Sequence, residues 1–369
     1  MGLRFRIMIN EHTEDLCLVV TEKCNLNCLY CQSNKIFSRS MSFACAKDYI
    51  DRFLHVSMIE KPSITFMGGE PFVAFKTIKE IVSYVKQFYP QKEVSFTIVT
   101  NGTLVHGDIQ KWIKENENCL QITLSLDGTE DSHNLNRCDS FHLIDIDFFK
   151  NLRKPIVNSV FTPDTIHDMF YNVKELHKHN FFIKGFIADG EQWNTQSINV
   201  LAMQLSSLIE YYLRNNNILP FSLLSLPIYK LTTDKPIKRC GSESFYEVSI
   251  SADGKEYACH RCTPFENNGT WRIPDKYRDL TNARYLLDDC MNCPFDRICN
   301  ACPASNASLK DNLEMSLINC QIRKLLFKSN AYFYLRMLTS ENEYIALKHI
   351  SDDKKKHLIQ SSKTIIELL

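Results

Sequence analysis

Three cysteines, Cys24, Cys28 and Cys31, stand in a C-x3-C-x2-C spacing directly after the apolar run Leu16-Cys17-Leu18-Val19-Val20. Thiolates are the usual ligands of iron-sulfur clusters, and so short a loop presents all three from one backbone turn. The loop can wrap three irons of a cubane four-iron four-sulfur cluster, which leaves the fourth iron open to a chelating small molecule. The competing readings are three buried thiols or a zinc site. Zinc normally takes a fourth ligand and paired C-x2-C knuckles, which this loop lacks. A second field follows far along the chain, with Cys240, Cys259, Cys262, Cys290, Cys293, Cys299, Cys302 and Cys320 in a span of little helical periodicity. Cys17, Cys45, Cys119 and Cys138 match no motif and read as buried free thiols.

The whole chain narrows the setting for this chemistry. Its 369 residues are 44% apolar and 11% aromatic, enough for one large core or two. Lys plus Arg balance Asp plus Glu at 43 each, so no global field argues for nucleic acid or an anionic membrane as partner. No basic segment followed by a long apolar one opens the chain, and no apolar run reaches membrane length. A cytoplasmic protein is expected, and in a reducing compartment fifteen cysteines at short spacings read as metal or cluster ligands, not disulfides.

Strands alternating with amphipathic helices must position the first cysteine loop. Leu3–Ile9 reads as a short leading strand, and Leu16–Val20, Ser63–Met67, Val94–Val99, Leu120–Leu126, Ile156–Phe161 and Phe181–Ile187 as strands of one sheet. Helices are expected over Ser42–Val56, Thr77–Phe88, Ile109–Glu115, weakly over Ile144–Leu152, then over Met169–His179 and Ile198–Leu213. About six βα units imply a parallel sheet covered by helices, either an open doubly wound sheet or a partial barrel. In both, chemistry belongs at the carboxyl ends of the strands, where the cysteine loop sits. Beyond Cys320, Ile322–Leu338 reads as a helix, and Lys354-Lys355-Lys356 precedes a final one as a solvated face.

The C-x3-C-x2-C loop, with Tyr30 just before its last cysteine, resembles the signature of radical S-adenosylmethionine (AdoMet) enzymes. That resemblance implies a partial (β/α)6 TIM barrel and a 5′-deoxyadenosyl radical made from AdoMet at a four-iron four-sulfur cluster. It also implies roles at the strand ends. Gly68-Gly69-Glu70-Pro71 would receive the amino group of the methionine moiety, Ser125 would contact its ribose or methionine part, and Asn101 and Asp127 would line the pocket. His133-Asn134-Leu135-Asn136-Arg137 matches an H-x-x-x-R stretch of sulfatase-maturing relatives, in which Arg137 would pair with a carboxylate of cofactor or substrate. Read as residues alone, these stretches have the alternatives of a strand-to-helix turn, turn-forming Asn and Asp, and a solvated arginine.

The second field resembles the auxiliary-cluster extension called SPASM. Thirteen residues separate Cys240 from Gly254 and four separate Gly254 from Cys259, then come C-x2-C-x5-C-x2-C and a final Cys320. Cys299-Asn300-Ala301-Cys302 is one residue shorter than the family's C-x3-C. By resemblance Cys290, Cys293, Cys299 and Cys320 would hold one auxiliary cluster and Cys240, Cys259 and Cys302 the other, its fourth iron either bound by Cys262 or open. A tetrathiolate zinc site on the two C-x2-C pairs is the alternative, though their separation is short for a zinc ribbon. Trp271 to Ala283 resembles the segment laid between the two cluster loops. The division expected is residues 1–12 as a leading strand, 13–235 as the partial barrel, 236–325 as the small cysteine-rich domain and 326–369 as C-terminal helices.

Members with this extension mostly modify ribosomally made peptides, forming carbon-carbon or thioether links, and some oxidise the active-site Cys or Ser of sulfatases. His260 stands where the sulfatase-maturing relatives carry the Asp proposed as base, which tilts the reading to a precursor-peptide maturase with His260 as the corresponding base. The partners implied are a precursor peptide and a low-potential flavodoxin or ferredoxin. The chain enters its first barrel strand almost at once, so a leader peptide is expected to bind the barrel, the cysteine domain or a separate recognition protein. A non-catalytic metal-binding scaffold is the reading from another class.

Overall fold

Period-two alternation sets the two faces of the sheet, and it is plain in the computed structural model, which describes residues 9–33, 38–234, 240, 246–263, 290, 292–302, 304–305 and 312–369. In β2 (Ser63–Gly68) Ile64 and Phe66 are buried on one face; in β3 (Ser95–Thr100) Phe96 and Ile98 lie beside them, the two phenylalanine rings stacked at 6.0 Å. With β1 (Asp15–Thr21), β4 (Leu120–Ser125), β5 (Ile156–Phe161) and β6 (Phe182–Ile187), these strands form a parallel ladder in the order β6-β5-β4-β3-β2-β1. The six βα units expected from the sequence are present.

Helices cover the face that carries Ile64, Phe66, Phe96, Ile98, Ile122, Leu124, Val157 and Phe161. α1 (Phe43–Val56) starts where Ser42 accepts a hydrogen bond from the Cys45 amide and buries Ala46, Ile50, Phe53 and Leu54, one face at helical spacing. α2 (Phe75–Phe88) does the same with Ile78, Ile81, Val82 and Val85. Each fully buried aliphatic or phenylalanine side chain contributes roughly 1.5–3 kcal/mol. α3 (Asp108–Asn116), α4 (Glu130–Arg137), α5 (Ile146–Lys150), α6 (Met169–Lys178) and α7 (Thr195–Arg214) complete the barrel, the last opened by an Asn194–Ser197 capping box.

Several expectations are corrected. α4 occupies a polar stretch with no apolar stripe, while the helix expected over 144–152 shrinks to α5. Residues 3–8 and 271–283 lie outside the described residues, and Ile9 is not in a strand. The lysine run lies inside the final helix, α9 (Asp352–Leu368), and Lys354 rests on the Tyr229 ring at 4.3 Å instead of standing in solvent. α8 (Leu313–Leu338) begins well before Ile322, so Cys320 is helical. Most consequential, β7 (Glu247–Ile250), beyond the expected boundary after residue 235, pairs in parallel with β1 over four residues, with β8 (Glu256–Tyr257) antiparallel at its edge. Among the described residues no helix is long and apolar enough to cross a membrane.

The opposite, concave face is polar. Register places Glu247, Asp15 and Ser63 in one row, Ser249, Cys17, Thr65, Thr97 and Gln121 in the next, and Ser125, Asn158 and Lys184 in a row across β4, β5 and β6.

Candidate functional site

The loop after β1 is bolted to the carboxyl ends of β3 and β4. Asn25 donates from Nδ2 to Thr103 Oγ1 at 2.7 Å and accepts from Asn101 Nδ2 at 2.9 Å; the Leu29 amide donates to the Asn136 carbonyl, also at 2.9 Å. Tyr30 donates its hydroxyl to Asp127 Oδ2 at 3.0 Å. The three cysteines are half-buried, and burial pushes Cys28 up to about 11, partly offset by Arg137 and reinforced by the neighbouring Cys31 and Cys24 thiols. Three thiols that sense one another on one turn suit a cluster, which takes them as thiolates.

Asp127 is the hub of this end. Its carboxylate accepts from Tyr30, from Arg137 Nε at 2.8 Å and Nη2 at 3.1 Å, from Asn136 Nδ2 at 3.3 Å and from the Val160 amide at 2.9 Å. The guanidinium also lies 5.2 Å from the Tyr30 ring centre. Arg137 is thus buried and spent on an internal carboxylate, a different partner from the cofactor or substrate carboxylate expected, and it holds the cysteine loop through Asp127 and Tyr30. His133, the first residue of the same stretch, is buried beside this charge and pushed down to about 4, so it is neutral.

Glu70 is 1% exposed and turns inward, accepting from Thr100 Oγ1 at 2.7 Å, the Asn101 amide at 2.8 Å and the Phe72 amide at 3.1 Å. Burial raises its pKa to about 7 despite these donors. Its carboxylate therefore ties β2 to β3, and the pocket side of Gly68-Gly69-Glu70-Pro71 is backbone. The two glycines are dictated by close approach: a Cβ on Gly68 would lie 2.2 Å from the Thr21 carbonyl oxygen, and one on Gly69 would lie 2.3 Å from that of Lys23 and 2.9 Å from Cys24 Cβ. The Gly69 and Glu70 amides donate to those same carbonyls at 2.9 and 2.8 Å. Ser125 sits half-buried at the end of β4, in register with Asn158 on the concave face.

The later cysteines fall into two groups of four. Cys262 is in electrostatic contact with Cys259, Cys302 and Cys240; a hydrogen bond between the two thiols holds Cys259 well below the usual thiol range and pushes Cys262 up. Cys320 feels Cys290 and Cys293, and Cys299 feels Cys293 and Cys320. The ambiguous Cys262 thus stands with Cys240, Cys259 and Cys302. Each group offers four thiols, the complement of a closed cluster. Among the thiols read as buried and free, only Cys17 is buried; Cys45 and Cys119 are half-buried, and Cys138 is exposed with its thiol donating to the Asn27 carbonyl at 2.9 Å.

His260 lies at the amino-terminal end of β1 and β7. Its Nδ1 is 3.6 Å from Glu247 Oε1 and 3.7 Å from Cys259 Sγ, and Cys17, Glu247 and His260 bring one ligand atom each within 4.8 Å of one another. Asp15 completes the patch; burial raises it to about 6 against hydrogen bonds from Ser63 and Thr65. No motif marks Cys17, Asp15 or Glu247 in the sequence; strand register alone unites them.

Residues 18–193 match the radical SAM superfamily profile, and the cysteine loop lies within that stretch. The chain carries a radical SAM domain. AdoMet and a four-iron four-sulfur cluster are the cofactors of that superfamily. The chain is similar to protein MJ0907 of Methanocaldococcus jannaschii (38% identity; 31% of this chain, 39% of that protein). It also resembles the radical SAM cyclopropyl synthase TigE of Paramaledivibacter caminithermalis (25%; 78% and 67%) and a cysteine-type anaerobic sulfatase-maturating enzyme of Clostridium novyi (30%; 32% and 34%). The match thus spans under half of two of these relatives. A likeness of fold extends further: a structure of anSMEcpe with bound AdoMet superposes at a TM-score of 0.70, with 21% identity over 93% of this chain and 97% of that one. Streptococcus suis SuiB bound to its precursor peptide SuiA superposes at 0.58, with 14% identity over 79% and 72%.

Proposed function

We propose that the protein is a radical SAM maturase that oxidatively modifies a ribosomally made precursor peptide in the cytoplasm. The observation that carries this reading is the disposition of thiols about β1. Cys24, Cys28 and Cys31 follow its carboxyl end, while Cys259 and His260 lie at its amino end beside Glu247 and Asp15. At ~3.3 Å per residue the strand separates them by roughly 20 Å. A substrate on the concave face would meet the radical source at one end and an electron acceptor at the other, as an oxidation requires.

In this reading Cys24, Cys28 and Cys31 hold the radical-generating cluster, Cys240, Cys259, Cys262 and Cys302 one auxiliary cluster, and Cys290, Cys293, Cys299 and Cys320 the other. When bound, the first cluster and AdoMet supply a 5′-deoxyadenosyl radical. The chain's own contribution is positional. Backbone at Gly68, Gly69 and Pro71 offers acceptors to the AdoMet amino group, Ser125 faces its ribose or methionine part, and Asn101, Glu70, Asp127 and Arg137 hold the walls. His260, with Glu247 at Nδ1, is the base proposed for the substrate proton. The organisation proposed is a leading segment 1–12, a partial barrel 13–235, a cluster-bearing extension 236–325 that returns β7 to the barrel's sheet, and C-terminal helices 326–369. A low-potential flavodoxin or ferredoxin would deliver the electron, and the leader would bind the chain itself or a separate recognition protein.

Sulfatase maturation is the second reading, favoured by the Clostridium novyi relative and opposed by His260 in place of an aspartate. The test is anaerobic reconstitution followed by dithionite. The wild type should form 5′-deoxyadenosine and bind about twelve irons per chain; Cys24→Ala should form none, and Cys262→Ser should lose about four irons. Zinc in place of iron in the later groups would sink the auxiliary clusters. Loss of two hydrogens from a precursor peptide encoded beside this chain, against formylglycine on a sulfatase-derived peptide, separates the two readings.

A further inference from the structure

The concave faces of β5 and β6 carry polar groups that the proposed radical chemistry leaves unused. Asn158 on β5 is in register with Lys184 on β6. Asn158 Oδ1 is buried without a hydrogen-bond partner among the described residues, and the Lys184 side chain makes no hydrogen bond or ion pair among them. Lys184 is half-buried and desolvation lowers its pKa; its ammonium has lost full hydration and faces no counter-charge among the described residues. A ligand that answers both groups brings a carboxylate for the lysine and an N–H for the amide oxygen. A peptide's acidic residue offers that combination, its side chain and a backbone amide lying a few ångströms apart.

The surroundings extend the match beyond one carboxylate. Phe182 and Phe186 flank Lys184 at two residues on either side, on the same face, and are 42% and 46% exposed. From Phe182 to Phe186 the strip runs about 13 Å, the length of four residues of extended chain. Its centre is in register with Ser125, the β4 residue proposed for AdoMet, and from there it runs two residues toward the amino end of β6 at Phe182 and two toward the carboxyl end at Phe186, so it is longer than the cofactor's carboxylate needs. The outer edge of β6 is closed to an added strand at Gly185, whose amide donates to Ser222 Oγ at 2.9 Å and whose carbonyl accepts from the same hydroxyl at 3.3 Å. The face is what remains for a ligand.

We propose that Phe182, Lys184 and Phe186, with Asn158, form a recognition strip for an acidic residue of the substrate peptide flanked by apolar side chains. This rests on the peptide-maturase reading and names the class of peptide it takes. The lysine supplies a charge-assisted hydrogen bond, the amide oxygen fixes the peptide backbone, and the two rings cover its apolar neighbours.

The test is anaerobic calorimetry of the reconstituted protein with three capped peptides, acetyl-Gly-Leu-Glu-Leu-Gly-amide and its Gln and Lys counterparts, whose only variable charge is at the centre. The Glu peptide should bind about tenfold more tightly than the Gln peptide and more tightly still than the Lys peptide, the range expected for a charge-assisted bond. Lys184→Glu should invert the order, and tighter binding of the Lys peptide then shows that the variant is folded. AdoMet affinity should stay within about twofold in that variant, since RT ln 2 is a negligible change. Equal binding of the Glu and Gln peptides, or no binding of any of the three, overturns the proposal. So does a Lys184→Glu variant that loses AdoMet and keeps the peptide order, which would assign the lysine to the cofactor's carboxylate. Wild type that forms 5′-deoxyadenosine yet ignores the central charge defeats this strip alone; wild type that forms none defeats the maturase reading, whatever the peptide order.

Discussion

Asp127 shows how much one buried carboxylate can decide. It neutralises Arg137, receives Tyr30 from the cysteine loop and takes the Val160 amide of β5, so loop, α4 and sheet meet at two oxygens. Asp127→Asn leaves the guanidinium buried without its counter-charge, and a loss of about 3–5 kcal/mol in urea denaturation is expected. Asp127→Asn combined with Arg137→Met should recover more than half of it, because an apolar side chain of similar length needs no counter-charge; a double variant no better than the single one would contradict the pairing. Glu70 makes a pH-dependent contribution of the opposite kind. Its unfolded pKa is near 4.5 and its folded one about 7, so the folded state holds the proton more tightly. The contribution is fully present below pH 4.5 and is lost as pH climbs through 7, by about 3 kcal/mol in all. Glu70→Gln cannot titrate, so the wild type's advantage over it should shrink between pH 5 and 7.5 when the two are compared by denaturation; a widening gap would refute the assignment. At this scale the spacing drew attention to Arg137 and Glu70 and carried no information about the partners the structure gives them. Spacing placed Arg137 and Glu70 near the site, but whether a charge faces a ligand or a neighbouring strand depends on side-chain direction, which one-dimensional spacing does not carry.

The elements were legible wherever a face repeats. β2, β3 and β5 alternate with period two, α1 and α2 bury residues at helical spacing, and their expected bounds fall within a few residues of those observed. α4 was not legible, because Glu130–Arg137 has no apolar stripe; it is held instead by Thr129, which accepts from the Ser132 amide at 3.5 Å and donates to Asn172 Oδ1 at 2.9 Å. Neither did the C-x3-C-x2-C spacing reveal why its loop needs two glycines one strand away. The Gly69 site allows no Cβ unless the Lys23 carbonyl and Cys24 move apart. Gly69→Ala should therefore yield a folded protein that retains less iron at the first cluster. The expected readout is near-wild-type far-UV circular dichroism, AdoMet cleavage down by at least about tenfold, as sub-ångström misplacement in a catalytic site entails, and unchanged iron in the two later groups. Full cleavage activity in this variant would mean that the loop tolerates the displacement and that the glycines serve another purpose.

Across the whole molecule, the barrel and the cysteine-rich extension share a sheet. Composition marks a change of character after Pro236, yet Glu247–Ile250 returns to pair with β1, the strand that launches the cysteine loop. Nothing in so short a segment announces a partner more than two hundred residues earlier, since parallel pairing leaves no local turn signal. The consequence is mechanical. β7 and the residues after β8 cover the amino end of β1, burying Cys17 and assembling Asp15, Glu247 and His260. A fragment of residues 9–234 should therefore lack more than its later clusters. With β7 absent, β1 presents an unpaired edge flanked by apolar residues, which favours edge-to-edge association. Light scattering should show the fragment associating at concentrations where the full chain does not, and peptide mapping after brief alkylation should find Cys17 modified in the fragment and protected in the full chain. A fragment that stays dispersed with Cys17 protected would mean that the barrel closes without β7. The route proposed between the two ends of β1 would then not depend on the shared sheet.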